Sequence, residues 1–150
     1  MRFLSLFAGI GGIDLGLERA GMTCVAQVEI EPFRRQVLAK HWPEVPKFDD
    51  VRTVNRETLR DVLPIDLIAG GFPCQDISNA GKRRGIIDGE RSGLWSEFDR
   101  LIRDLRPRFV LVENVSALLD GGMGVVLRSL AESGFDAEWA VLPASWFGAS

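Results

Sequence analysis

The chain has 150 residues, of which 46% are apolar and 26% charged, and its formal net charge is −3. This length and apolar content suit one folded domain with its own core and exclude a disordered chain. Two cysteines, Cys24 and Cys74, are too few for a disulfide scaffold and suit a reducing, cytoplasmic setting. The sequence contains no apolar run of the roughly 18 residues that a membrane span needs.

Strands and helices alternate along the first half of the chain. Apolar runs that end at turn residues predict strands, and apolar residues at three- and four-residue spacing predict helices. Pro32 stands where the first turn of a helix tolerates proline. The predicted strands are Arg2–Phe7, Thr23–Glu29 and Lys47–Asp50, and helices are predicted to begin near Ile13 and Pro32 and to span Asn55–Val62.

The second half continues the same alternation. Leu94, Phe98, Leu101 and Leu105 step by four, three and four residues, which predicts an amphipathic helix ending before Pro107. Further strands are predicted at Ile65–Ala69, Phe109–Val112 and Phe135–Leu142, a helix around Met123–Leu130, and a long loop at Gln75–Arg91. This order predicts an α/β fold: one domain with a doubly wound, mostly parallel, Rossmann-like sheet of about six strands.

A reactive-looking cysteine follows the fourth predicted strand. The stretch Gly70–Ser78 opens with two glycines, which allow close approach of the backbone, and Pro73 stiffens the turn just before Cys74. In an open α/β sheet, ligands bind at the carboxyl ends of the strands. Cys74 is therefore a candidate nucleophile. The alternative is a small buried cysteine that closes a turn.

The turn after the first strand has the composition of a nucleoside-cofactor site. Phe7–Gly12 reads Phe-Ala-Gly-Ile-Gly-Gly before a helix, and Glu29 ends the second strand eighteen positions after Gly11, where an acid can accept hydrogen bonds from a ribose. A dinucleotide motif would place glycine where Asp14 stands, and this charge would repel a pyrophosphate. S-adenosylmethionine therefore fits better, with a tight turn that binds no ligand as the alternative.

Two further acidic positions end predicted strands. Asp49 and Asp50 lie near the same crevice and could accept an adenine amino group, or they could cap a helix or turn. Glu113, followed by Asn114, closes an apolar run, so we expect it to be partly desolvated, with a raised pKa that lets it donate a proton, and to face Cys74 across the crevice. A strand-end acid with a structural partner is the alternative.

Basic residues concentrate beside the candidate nucleophile. Residues 80–110 carry eight basic and five acidic residues, which favours an anionic substrate, although Arg100–Arg108 also suits a helix face with ion pairs along it. The single histidine, His41, is predicted far from Cys74, which disfavours a Cys–His hydrolase. The few cysteines and one histidine are too scattered to predict a metal site.

Five of these motifs together resemble the DNA (cytosine-5) methyltransferases. They are the Phe7–Gly12 turn, Glu29, Asp50-Val51, the Gly71–Gln75 segment and Glu113-Asn114-Val115, and they stand in that family's order and spacing across nearly the whole chain. The resemblance implies an enzyme that transfers a methyl group from S-adenosylmethionine to carbon 5 of a flipped cytosine in double-stranded DNA. A bacterial or phage-encoded cytoplasmic protein of restriction-modification type is the corresponding expectation.

The resemblance also implies roles for individual residues. Cys74 would be the nucleophile at cytosine carbon 6, Glu113 the acid at N3, and Asn114 a support for the nucleophile's loop. The implied cofactor residues are Phe7, Gly9, Gly11, Glu29, Ile30, Asp50, Val51, Pro73 and Leu94, and the implied DNA contacts are Ser78, Lys82, Arg83 and Arg84.

The family pattern extends past this sequence. The segment Ala144–Ser150 looks like the approach to two more active-site arginines, and the target-recognition region does not occur in the chain. We therefore expect the N-terminal portion of one catalytic domain, either truncated or completed by a second chain, with little or no methylation by residues 1–150 alone. A catalytically silent cofactor- or partner-binding fragment is the main alternative. A nicotinamide oxidoreductase is disfavoured by Asp14 and by the surroundings of Cys74.

Overall fold

Five parallel strands form the sheet at the centre of the molecule, which a computed structural model describes over residues 1–73 and 93–149. The strand order is β3-β2-β1-β4-β5, and every neighbouring pair runs parallel. The strands are β1 (Arg2–Leu6), β2 (Thr23–Val28), β3 (Lys47–Phe48), β4 (Leu67–Gly70) and β5 (Phe109–Val112). The predicted fold class is confirmed.

Helices connect the strands as the apolar spacing predicts. They are α1 (Gly12–Arg19), α2 (Pro32–His41), α3 (Leu94–Leu105), α4 (Leu118–Gly121) and α5 (Met123–Glu132), with short 3-10 turns at Val51–Thr53, Arg60–Val62 and Ala144–Phe147. Helix α3 buries one apolar face and ends at Arg106, which adopts a left-handed conformation directly before Pro107. None of these helices is long and apolar enough to cross a membrane.

The sheet has a core on each face. On one face a small cluster forms around Phe3, Cys24 and Leu67, and α1 adds Ile13 and Leu17. The larger cluster covers the other face, where α3 and α5 pack against β1, β2 and β4. Helices on both faces are what a doubly wound parallel sheet requires, because both faces of its strands are apolar.

The strand order reverses between β1 and β4, and this point positions the candidate site. The chain runs outward from β1 to β3, returns to β4 and then continues to β5 on the other side. A crevice therefore opens at the carboxyl ends of β1 and β4. A Cβ on Gly70 would collide with the backbone oxygen of Leu6, so glycine permits the close pairing of the two strands there.

The predicted sixth strand is wrong. Residues 135–142 alternate in the sequence but form no strand in the described part of the chain, and residues 138–142 are exposed. A strand is stable only when a neighbour pairs with its backbone, and within residues 1–73 and 93–149 this segment has no such neighbour. Alternation alone therefore overestimated the sheet, which has five strands.

The predicted helix over Asn55–Val62 is reduced to a turn and one 3-10 turn. The Asn55 carboxamide oxygen accepts hydrogen bonds from the amides of Glu57 and Thr58, and the Thr58 hydroxyl pairs with the Asn55 backbone. Such local side-chain bonds compete with the helical pattern. Only Arg60–Val62 adopts helical geometry.

Candidate active site

The turn after β1 is fixed by its own backbone. Phe7, Gly9 and Gly11 all have positive φ angles, of 53°, 58° and 91°. The Ala8 amide donates to the Val28 carbonyl on β2, and the Gly11 amide donates back to Ala8. A Cβ on Gly11 would collide with the Trp42 ring, whereas one on Gly9 would meet open space. The turn therefore packs against the protein at Gly11 and faces open space at Gly9.

Glu29 holds this turn and forms a polar floor beside it. The side chain is only 4% exposed. Its Oε2 accepts a hydrogen bond from the Gly9 amide at 2.8 Å, and its Oε1 accepts one from the Glu31 amide at 2.9 Å. A carboxylate offers about four acceptor positions, so lone pairs remain for a ligand's hydroxyl groups. With open space beside Gly9, these residues fit a nucleoside with a free ribose diol.

Two arginines that sequence reasoning missed surround Glu29. Arg35 donates to the backbone oxygens of Glu29 and Ile30 at 2.8 Å and 2.6 Å. Arg34 lies 3.7 Å from the Glu29 carboxylate. Both come from α2, whose start is capped by the Glu31 side chain. An arginine six positions past a strand-end acid follows no sequence signature, so only the fold could assign this role.

The other predicted cofactor residues lie around the same crevice. Ile30 is 65% exposed, whereas Val51 is buried. Asp50 caps the turn at Val51–Thr53, where its carboxylate accepts hydrogen bonds from the Arg52 amide and side chain. Hydrogen bonding by Arg52 lowers the pKa of Asp50. The capping alternative is thus realised, and an adenine contact for Asp50 stays a prediction. Leu94 begins α3 and packs on the larger core cluster.

Asp14 does not face the crevice, so the predicted repulsion of a pyrophosphate by its charge is wrong. Its side chain is fully buried between α1 and the sheet. It accepts hydrogen bonds there from Ser5, Gln27 and the Cys24 thiol. A polar residue in the first turn of a helix can point inward when the strands beneath supply donors, and the sequence alone did not show these donors together.

The end of β4 leads to the candidate nucleophile through a buried aromatic contact. Phe72 is 5% exposed, and its ring centroid lies 5.3 Å from that of Trp95. Trp95 stacks in turn on Phe98, which contacts the Phe7 ring. Pro73 is the last described residue of this segment, and the predicted residues Cys74, Ser78, Lys82, Arg83 and Arg84 lie outside the described residues.

Glu113 and Asn114 converge on the segment just before Cys74. The side-chain amide of Asn114 donates a hydrogen bond to the Phe72 carbonyl at 3.0 Å. A Cβ on Gly71 would lie 2.6 Å from Glu113 Oε2, so the acid rests directly over this glycine. However, Glu113 is exposed, and the predicted desolvation of its carboxyl is wrong. It follows the edge strand β5, whose outer side no described strand covers.

A sequence model of the C-5 cytosine-specific DNA methylases matches residues 1–150. The chain belongs to the C-5 cytosine-specific DNA methylase family. The type II methyltransferase M2.BsuMI of Bacillus subtilis is 38% identical over 156 residues, which is 99% of this chain and 39% of the relative. M.HhaI of Haemophilus parahaemolyticus is 35% identical, over 99% of this chain and 45% of that enzyme. This methylase chain therefore spans about two fifths of the length of such relatives.

Two solved structures share the fold of this chain. A prophage-encoded Escherichia coli protein, assigned as a DNA modification methyltransferase, superposes with a TM-score of 0.69 at 30% identity, over 87% of this chain and 37% of that one. Spodoptera frugiperda DNMT2 gives a TM-score of 0.69 at 21% identity, over 88% and 41% of the two chains. The second likeness shows the shared fold alone.

The basic residues of α3 in this methylase are partnered by the protein itself. Arg100 pairs with Glu97 at 2.7 Å and also donates to the Val51 and Val54 carbonyls. Arg103 pairs with Asp99 and with Glu132. The ion-paired helix face is therefore realised for these two residues. Arg100 also supports the turn at Val51, a role that sequence reasoning did not assign.

Among the residues that the structure describes, no strand pairs with the outer edge of β5. A groove of about 1210 Å³ runs along β5 and α5, and Glu113 and Asn114 are among its lining residues. The predicted cofactor residues do not line it. Apolar side chains are exposed along it, with Leu111 42% and Trp139 63% exposed. The groove is thus distinct from the predicted cofactor residues but reaches Glu113 and Asn114.

Proposed function

We propose that this chain forms the cofactor-binding and nucleophile-bearing part of a DNA (cytosine-5) methyltransferase. One observation carries the proposal. The Phe7–Gly11 turn with Glu29, and the β4 end with Glu113 and Asn114, lie at the carboxyl ends of adjacent parallel strands. The first pair has the chemistry of a nucleoside site, and the second leads directly to Cys74.

The cofactor of this proposal is S-adenosylmethionine. The Glu29 carboxylate accepts the ribose hydroxyls, since its two oxygens already lie fixed beside the open side of Gly9. Ile30, which is 65% exposed next to Glu29, provides an apolar surface for the adenine. The bound cofactor supplies an electrophilic methyl group on sulfur. This cofactor brings no phosphate to the turn, and residues 7–12 themselves contain no lysine or arginine.

The reaction assigned to the protein is nucleophilic catalysis on a base turned out of the duplex. The Cys74 thiolate adds to cytosine carbon 6 while the Glu113 carboxyl holds N3 and protonates it. Carbon 5 then becomes nucleophilic and takes the methyl group, and the electron pair of the broken carbon–sulfur bond stays on the donor sulfur, which leaves as a thioether. Loss of the carbon 5 proton to a base and return of the N3 proton to Glu113 restore the ring and expel Cys74 as thiolate. The Asn114 side chain donates a hydrogen bond to the Phe72 carbonyl, two residues before the nucleophile. This bond fixes the position of the backbone from which the Cys74 loop starts.

Covalent trapping on DNA tests the nucleophile. In protein expressed from the intact coding region, we expect wild type to form a stable adduct with duplex DNA that contains 5-fluorocytosine. Cys74→Ser should form none while retaining cofactor binding, and Cys24→Ser serves as the matched control that keeps the adduct. An adduct that persists in Cys74→Ser would refute the role of Cys74. Absence of methyl transfer by wild type would refute the function.

The basic residues after Cys74 are proposed to meet DNA phosphates. Ser78, Lys82, Arg83 and Arg84 would supply one hydroxyl and three positive charges to the backbone. Replacing Lys82, Arg83 and Arg84 with glutamine should weaken duplex binding for all sequences alike and reduce the dependence of log K on log salt by about 2 to 3. An unchanged salt dependence would contradict these contacts.

A second candidate function is a cofactor-binding fragment that is silent until another polypeptide segment completes it. Phe109 and Leu111, exposed on one face of β5, and the apolar groove beside them favour this reading, because a parallel sheet normally has both faces covered. We propose that the covering segment, from the same or a second chain, supplies the missing part of the active site. Residues 1–150 alone should then transfer little or no labelled methyl to duplex DNA. Efficient transfer by this chain alone would contradict the proposal.

A further inference from the structure

A fully buried carboxylate lies behind the proposed cofactor turn. Asp14 is in the first turn of α1, three residues after Gly11, and none of its side chain is exposed. Its Oδ2 accepts from the Ser5 hydroxyl at 2.8 Å, and its Oδ1 accepts from the Gln27 amide at 2.8 Å and from the Cys24 thiol at 3.6 Å. Within residues 1–73 and 93–149, no lysine or arginine pairs with it.

The cost of burying this group shows that its geometry matters. A buried carboxylate without hydrogen bonds or a partner charge is strongly unfavourable, so its three donors must be held in place. The Gln27 carboxamide oxygen is itself buried without a hydrogen-bond partner in the described residues. The Gln27 side-chain amide thus donates to Asp14, while its own oxygen has no hydrogen-bond partner in the described residues. An apolar contact between α1 and the sheet would avoid both costs.

The donors come from the two strands that end at the cofactor turn. Ser5 lies on β1, two residues before Phe7, and Gln27 lies on β2, two residues before Glu29. Asp14 therefore ties the start of α1 to both strands at once. The turn between them is closed on its other side by the bond from the Gly9 amide to Glu29.

We propose that Asp14 is a positioning residue for this turn: through Ser5 and Gln27 it sets the geometry in which Gly9 and Glu29 receive the cofactor. The proposal rests on the proposed function for the identity of the ligand. The positioning of the turn by Asp14 does not depend on the proposed function. Without Asp14, α1 can shift along the sheet, and the Gly9 amide loses its fixed distance to the Glu29 carboxylate.

The test compares variants of the 150-residue chain by titration calorimetry with S-adenosylmethionine. Asp14→Ala should raise the dissociation constant about tenfold or more, the scale of one lost buried hydrogen-bond site. Asp14→Asn keeps the shape, and Gln27 can turn its unpaired oxygen towards the new amide, so binding should stay within about threefold of wild type. Leu130→Ala, buried on α5, is the control that lowers stability far from the turn and should leave binding unchanged.

Hydrogen exchange of the Gly9 amide provides a readout without the cofactor. Asp14→Ala should exchange this amide about tenfold faster than wild type, whereas Leu130→Ala should not. If Asp14→Ala fails to fold, Ser5→Ala removes one donor and should show both effects in weaker form. Unchanged affinity and unchanged Gly9 exchange in folded Asp14→Ala or folded Ser5→Ala would overturn the proposal. Altered exchange in a chain that binds no cofactor would refute the proposed function and leave the positioning role intact.

Discussion

Two acidic residues end strands of this sheet, and their surroundings differ sharply. Glu29 follows the inner strand β2, is 4% exposed and receives two backbone amides. Glu113 follows the edge strand β5 and is exposed over Gly71. In sequence both are acids that close an apolar run. What separates them is the number of neighbours that the sheet order gives each strand. Within residues 1–73 and 93–149, the proposed cofactor side around Glu29 is therefore enclosed, and the side around Glu113 is open.

Truncating an apolar side chain in the larger core and one on β5 should show the largest difference in the free energy of unfolding. Phe98 is fully buried between Phe7 and Trp95, and Phe98→Ala should lower the free energy of unfolding by about 3 to 5 kcal/mol. Leu111 on β5 is 42% exposed, and Leu111→Ala should cost less than about 1 kcal/mol. Urea unfolding of the isolated chain measures both. Equal costs would mean that the β5 side is as closed as the β1 side.

Adding a Cβ at each of the two adjacent glycines at the end of β4 tests whether the β1 neighbour of β4 is more rigid than Glu113. Gly70→Ala should cost about 2 to 3 kcal/mol, because its Cβ would collide with the Leu6 backbone, which the β1–β4 pairing holds in place. The new Cβ of Gly71→Ala would overlap the end of the exposed Glu113 side chain, which can swing away at little cost in stability, and would lie at an ordinary contact distance of 3.4 Å from the Glu113 backbone oxygen. Thermal unfolding of both variants gives the measurement. Similar losses would indicate that Glu113 is as immobile as backbone.

Replacing each of the two acids by its neutral amide should again lower stability at one position and not at the other. Glu29→Gln leaves one of two buried backbone amides facing an N–H donor, so it should lower the free energy of unfolding by about 1 to 3 kcal/mol. Glu113→Gln, at an exposed position, should change it by less than about 0.5 kcal/mol. Chemical denaturation is the assay. A larger loss of unfolding free energy for Glu113→Gln would mean that the surroundings of Glu113, and not those of Glu29, are enclosed.

The smallest predicted effect concerns alkaline pH on the buried side. Burial, together with the neighbouring Asp14 charge, raises the pKa of the Cys24 thiol from 9.0. The unfolded chain therefore loses this proton at lower pH than the folded chain, and stability that is full below about pH 9 declines above it. Between pH 9 and 10 wild type should lose about 1 kcal/mol more than Cys24→Ala, measured by urea unfolding. Parallel pH profiles would contradict burial of this thiol.

The sequence predicted the sheet class, all five strands and the amphipathic α3, because apolar spacing and turn residues act locally. It also placed Glu29 correctly beside the glycine turn. The exposure of Glu113 and the missing sixth strand depended on which strands have neighbours, and local spacing does not encode this. The inward direction of Asp14 depended on donors from β1 and β2, which only the folded sheet brings together.

The central claim is that this chain alone builds the cofactor side of a cytosine-5 methyltransferase site. Calorimetric titration of residues 1–150 with S-adenosylmethionine, for wild type, Glu29→Gln and Glu113→Gln, tests it most directly. We predict saturable one-to-one binding that Glu29→Gln weakens about tenfold or more and that Glu113→Gln leaves unchanged. No binding by wild type, or binding that depends on Glu113 and not on Glu29, would contradict the account.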